Sequence, residues 1–188
     1  MKQKTDGQSK KGITQLERTA YHEAGHVMAH FRLHVVFRYV TIIPAEGFLG
    51  CVRTYPHGRK FREHIENGDY TLRERDRLEN DIVIYFAGNE AEKKYCGRYN
   101  HQGATSDRHN SIDLAGYIAG EGEALEAYLR WLRLRARDLI ANSLNWKAVQ
   151  MVAEALLERK TLTHEEGRMI FDKAYGIEPF LFPSEAQK

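Results

Sequence analysis

Apolar side chains recur at Leu16, Ala20, Ala24, Val27 and Phe31, spaced three and four apart along one face of a helix. The spacing predicts a first helix from Thr14 to about residue 33. Thr14 and Glu17 start it as a T-x-x-E pair, each side chain taking a free backbone N–H of the first turn. The period then changes. VVFRYVTII (35–43) is dense in β-branched and aromatic residues and stops at Pro44, and FLGCVRTY (48–55) follows after AEG. Two strands around a tight connection are expected. Residues 56–70 are polar and read as an exposed loop. A second pair, Thr71 and Glu74, opens a long helix through DIVIYFAGNEAEKKY (81–95), with Gly97 as its stop. A polar loop (98–105) leads to a helix near Ser106. Further helices are expected over roughly 122–142 and 146–159, with a short terminal one opened by Thr163 and Glu166. The fold class is therefore mainly α with a small β-sheet (α+β) inserted after the first helix.

Charge and composition narrow the picture. Residues 1–12 carry four lysines and two glycines and read as a flexible basic tail. The folded domain is expected over 13–176, with a C-terminal tail at 177–188. A net charge of +2 over 188 residues does not ask for nucleic acid or an anionic membrane. Arg130, Arg133 and Arg137 share a helix face, but Glu123 and Glu126 lie on the same helix, so a solvated face or subunit contact is expected there. Cys51 and Cys96 lie far apart and outside any CxxC, which excludes a disulfide scaffold and a cysteine zinc site. No apolar run approaches the length of a membrane span, and the N-terminus lacks a signal-peptide core. A soluble, cytoplasmic protein with no direct membrane insertion is expected.

The chemistry sits in the first helix. His22, Glu23, Ala24, Gly25 and His26 spell HExxH. Residues four apart share a helix face, so both imidazoles can grip one zinc ion while Glu23 stands beside a water and can take its proton. Gly25 costs about 1 kcal/mol relative to Ala inside a helix, which implies a close approach to the backbone there. His30 and His34 continue the spacing, but each step of four turns about 40° around the axis, and they read as packing or surface residues. A catalytic zinc needs a third protein ligand from another element. Asp107, Asp113, Glu90, Glu92, His101 and His109 all have suitable chemistry, and spacing does not choose among them.

TAYHEAGH (19–26) is similar to the zinc-binding helix of the FtsH family of ATP-dependent metalloproteases. VTIIP (40–44) followed by LG (49–50) resembles that family's strand pair. AGNEAEK (87–93) resembles its AGRAAEE segment, GATSD (103–107) its GASND segment, and AEALLERKTLTHEE (153–166) its C-terminal ALLExETLxGEE stretch. The five matches run in order over about residues 17–175. The resemblance implies a zincin-like peptidase domain with HExxH on its first long helix. It also implies a His22, His26 and Asp107 zinc site, with Glu23 as general base. Glu92 matches the first glutamate of AGRAAEE and is the alternative ligand, or a residue that orients the site. Asp107 read without the family is a helix cap.

The departures also bear on function. Asn89 and Lys93 stand where the family has arginine and its second glutamate, and Thr105 and Ser106 replace Ser-Asn. The sequence carries no GxxxxGK[ST] phosphate loop, so the peptidase domain alone is expected, free-standing or excised. The expected function is zinc-dependent endopeptidase cleavage of unfolded or delivered protein substrates. The alternative is a metal-binding regulatory or interaction module with little proteolysis. The family also implies a homo-oligomer, commonly of six, and a separate ATPase or delivery partner. One strand of the 36–55 pair is a candidate dock for an extended substrate.

Overall fold

The computed structural model describes residues 12–98 and 105–178. The basic tail before Gly12, residues 99–104 with His101, and the C-terminal segment from 179 lie outside the described residues. The described chain is mainly helical, with one three-stranded antiparallel sheet.

All three T-x-x-E pairs cap helices. Thr14 opens α1 (Gln15–Arg32), where the Glu17 backbone N–H donates to Thr14 Oγ1 at 3.2 Å and Thr14 N–H donates to Glu17 Oε2 at 2.7 Å. Thr71 and Glu74 open α3 (Leu72–Cys96), and Gly97 ends it in the left-handed conformation at φ 73°. Thr163 and Glu166 open α7 (His164–Tyr175). Between them lie α4 (Thr105–Ala119), α5 (Glu123–Ala141) and α6 (Ser143–Arg159). Helix α6 begins three residues earlier than its apolar pattern suggests. The Asn142 side chain accepts from the Leu144 and Asn145 N–H groups at 3.0 and 3.2 Å, a cap that fixes the earlier start.

β1 (Phe37–Thr41) and β2 (Cys51–Thr54) form the expected antiparallel pair, with Val40 opposite Val52. Gly47, at φ 86°, takes the left-handed position in the turn between them. Two elements depart from expectation. The 56–70 stretch is not all loop: α2 (Arg59–Asn67) folds there, burying Ile65 and stopping at Gly68 in the left-handed conformation. A third strand, β3 (Thr161–Thr163), joins the other side of β1, Leu162 opposite Val40. Its three residues are too few for a period-2 signal, and its partner lies some 120 positions away. The strand order β2-β1-β3 leaves β2 at an edge.

Helix α1 is the core. Ala20, Ala24, Val27 and Met28 are fully buried, packed among α3, α6 and α7. The α1–α3 crossing is unusually close: a Cβ on Gly25 would lie 2.6 Å from the Ala87 carbonyl oxygen and 2.6 Å from Ala91 Cβ. This is the approach to the backbone that a mid-helix glycine implies. Glu79 ties α3 to α5, accepting from Arg135 at 2.9 Å and Tyr128 Oη at 2.8 Å. Among the described residues, no helix is long and apolar enough to cross a membrane.

Candidate metal centre and its cleft

Helix periodicity puts His22 and His26 on one face of α1, and the close α1–α3 crossing holds that face against α3. His26 Nδ1 lies 2.7 Å from the Ile84 carbonyl oxygen, which only accepts, so Nδ1 carries the proton. The neutral ring then presents Nε2 as a lone pair. His22 Nδ1 faces Glu92 Oε2 at 3.5 Å, an ion-pair contact that leaves Nε2 on the inward side. The first turn of α4 supplies Asp107.

Three atoms meet: His22 Nε2 and His26 Nε2 at 3.0 Å, His22 Nε2 and Asp107 Oδ2 at 3.0 Å, His26 Nε2 and Asp107 Oδ2 at 3.4 Å. A tetrahedral ion with ligand bonds of about 2.0–2.1 Å sets its ligand atoms about 3.3 Å apart. The triangle has those edges. His26 Nε2 and the Asp107 carboxylate both turn lone pairs toward His22 Nε2, and the group needs a proton or a cation between its members. A proton meets that need in part and a divalent ion meets it in full. Burial works against a charged His22, but Asp107 and Glu92 outweigh it and push its pKa up to about 10. Burial would raise Asp107, but His26 and His22 hold its carboxyl far below the usual range.

These residues line a cleft of about 910 Å³ between α1, β2, α3 and α4. Glu23 also lines it, with 4% of its surface exposed. Burial pushes its carboxyl up, against the downward pull of His22 and His26. The chain entering β2 passes tightly over Glu23: a Cβ on Gly50 would sit 2.8 Å from Glu23 Oε1.

The other candidates fall elsewhere. Glu92 is behind His22, on the Nδ1 side, and not among the three converging atoms. Glu90 turns to α5, where Arg133 Nε lies 2.9 Å away. Asp113 lies 3.3 Å from His109 Nε2 in an exposed pair farther along α4. His30 is a core residue, 2% exposed, its Nδ1 donating to the Val35 carbonyl at 2.9 Å. His34 is on the surface beyond α1. Arg130, Arg133 and Arg137 are exposed on α5, and Arg133 reaches from that face to Glu90.

Three supporting positions carry little or no signal in the sequence. A Cβ on Gly88 would lie 2.4 Å from His26 Nε2 and 2.5 Å from its Cε1, so this glycine is the seat of that ligand. Ile84 acts through its backbone carbonyl, which no residue type announces. Gly50 shows in the sequence only as part of a strand pair. Glycine at 88, one helical turn beyond Ile84, was the one available signal. No protein-family model matches the chain, and no curated protein matches it.

Proposed function

We propose that the chain is a zinc-dependent endopeptidase, an FtsH-like and zincin-like peptidase domain acting on unfolded or delivered protein segments. One observation carries the reading: His22 Nε2, His26 Nε2 and Asp107 Oδ2 converge at 3.0 to 3.4 Å beside the buried Glu23. Two imidazoles and a carboxylate suit zinc and leave room for substrate on the cleft side. A zinc ion held there supplies a Lewis acid that makes water nucleophilic near neutral pH. Glu23 accepts the proton of the attacking water and passes it to the departing amine nitrogen. Its burial supports this role, because a carboxyl raised from its ordinary range is a better proton carrier near neutrality.

The edge strand supports a substrate mode. β2 borders the cleft, and no strand among the described residues pairs with its outer side. An extended peptide can add there through backbone hydrogen bonds. That mode requires a locally unfolded substrate, so casein-like protein should be cut and a tightly folded one spared without ATP. Equal ATP-free degradation of both would refute the restriction. The reading also includes a homo-oligomer of six, a separate ATPase or delivery partner, and a cytoplasmic setting, to which the free Cys51 and Cys96 are suited. Sedimentation analysis tests the assembly.

The experiment is metal content by plasma mass spectrometry on wild type, Asp107→Ala and Glu23→Gln, paired with cleavage of an unfolded protein. About one zinc per chain, lost in Asp107→Ala and kept in an inactive Glu23→Gln, is expected. Zinc bound without cleavage would favour the regulatory module. No zinc in the wild type would overturn the reading.

A further inference from the structure

Peptide hydrolysis by this route moves an electron pair onto the carbonyl oxygen as water adds to the carbon. A donor fixed in advance beside that oxygen is worth more than one recruited during reaction, because it needs no reorganisation. Glu23 is committed to the water proton, so a protein donor that assists the metal there has to be another residue of the cleft.

Tyr85 is a hydrogen-bond donor on the wall of that cleft. It follows Ile84, whose carbonyl anchors His26, so its backbone is fixed by the same bond that aims a proposed ligand. It lines the same cleft as His22, Glu23, His26 and Asp107. Its ring is half-buried, yet the hydroxyl has no protein partner among the described residues and is not sealed from solvent. A tyrosine sunk this far ordinarily finds a partner for its O–H. Asp81 lies one turn earlier on α3, and its Oδ2 is occupied by His57 Nε2 at 2.7 Å. Asp107 Oδ2 is turned to the two histidines. The hydroxyl is thus left for something entering the cleft. Burial, then the Asp81 and Asp107 charges, push the phenol up, so it remains a donor throughout the neutral range.

Building on the peptidase reading, we propose that Tyr85 is a further catalytic residue, its hydroxyl donating a hydrogen bond to the carbonyl oxygen of the scissile peptide. As water adds, the C=O π pair moves to the oxygen, which accepts from Tyr85 Oη–H while the phenol keeps its proton. Glu23 takes the water proton and delivers it to nitrogen as the C–N bond breaks and the carbonyl re-forms. Charge is greatest at the intermediate, so the bond acts on kcat more than on KM.

The test is Tyr85→Phe, which keeps the ring and removes one oxygen. Zinc content and thermal midpoint should match wild type. The kcat on an unfolded protein substrate should fall by about 10²–10³, with KM little changed. A second readout needs no turnover: affinity of the zinc-loaded protein for a phosphinic tripeptide, whose anionic oxygens stand in for the developing charge. That affinity should fall about tenfold or more. If the wild type binds zinc but cuts nothing, the peptidase reading fails, and the phosphinic peptide still judges Tyr85. Wild-type kcat in the variant, or unchanged phosphinate affinity, would overturn the proposal. So would a variant that loses zinc or stability, since the residue would then be structural.

Discussion

Replacing Gly25 by alanine sets two known effects against each other. Alanine is about 1 kcal/mol better than glycine inside a helix, because it loses less backbone entropy on folding. The α1–α3 crossing opposes that gain. The added methyl would lie 2.6 Å from the Ala87 carbonyl oxygen, 2.6 Å from Ala91 Cβ and 3.0 Å from Gly88 Cα. None of these is the end of a flexible side chain, so no rotamer change relieves the overlap. The helices must part by about 0.8 Å to restore ordinary contact, and overpacking of a close-packed interior typically costs about 1–3 kcal/mol. Two simultaneous overlaps against helix backbone and Cβ place this site at the upper end. The expected net result is a loss of about 1–2 kcal/mol. For a chain of this size that lowers Tm by about 2–4 °C per kcal/mol. Urea unfolding of chelator-treated protein measures it directly, with the midpoint shifted and the slope unchanged. A midpoint equal to or above wild type would show that the two helices yield freely, and the argument for a rigid seat under the histidines would fail.

Three other outcomes follow from the same geometry. Gly88→Ala should cost zinc retention before it costs fold, because its methyl would press on the His26 ring from 2.4 Å; retained stoichiometric zinc on dialysis would refute this. Glu92→Gln weakens the hold on His22 Nδ1 at 3.5 Å and should lower zinc affinity about 10–100-fold in a competition titration with a metal-sensitive dye; an unchanged affinity would contradict it. His30 gives a pH signature. Burial, then the nearby His26 and Arg77 charges, lower its pKa to about 4 against the Val35 carbonyl and Asp81, which favour the proton. The unfolded chain takes up a proton near pH 6.5 and the folded one does not until about pH 4. Stability from this residue is therefore complete above about pH 6.5 and declines at about 1.4 kcal/mol per pH unit below it, to a loss of roughly 3 kcal/mol. His30→Leu, though weaker at pH 7 for want of the Val35 bond, should lose less between pH 6.5 and 4.5. Parallel pH slopes in urea titrations would refute the assignment.

The helix starts were legible because a T-x-x-E pair is a local device, complete within four residues at Thr14, Thr71 and Thr163. The geometry of His22 and His26 was legible for the same reason, as one helical turn fixes it. Convergence of Asp107 on that pair depends on how α4 packs, and only the family resemblance separated it from Asp113 and Glu92. Helix α2 was obscured by its surface position, since a helix that buries only Ile65 leaves a faint apolar stripe in a charged segment. β3 was obscured by distance along the chain, and the Ile84 carbonyl by being backbone. What sequence pattern reads is one element's own chemistry; what it misses is support lent by one element to another.

The place of β3 also orders events in time. β1 and β2 are neighbours in the chain, joined by residues 42–50, and can pair as soon as both are synthesised. The other side of β1 waits for Leu162, some 120 residues later, and closing so long a loop is slow. A chain leaving the ribosome therefore carries its HExxH helix long before the sheet beside the cleft is complete. Pulsed hydrogen exchange would see the Val40 amide protected only with the last phase of refolding. The strand that borders the cleft is thus held in a two-stranded pair until the C-terminal segment arrives to complete the sheet.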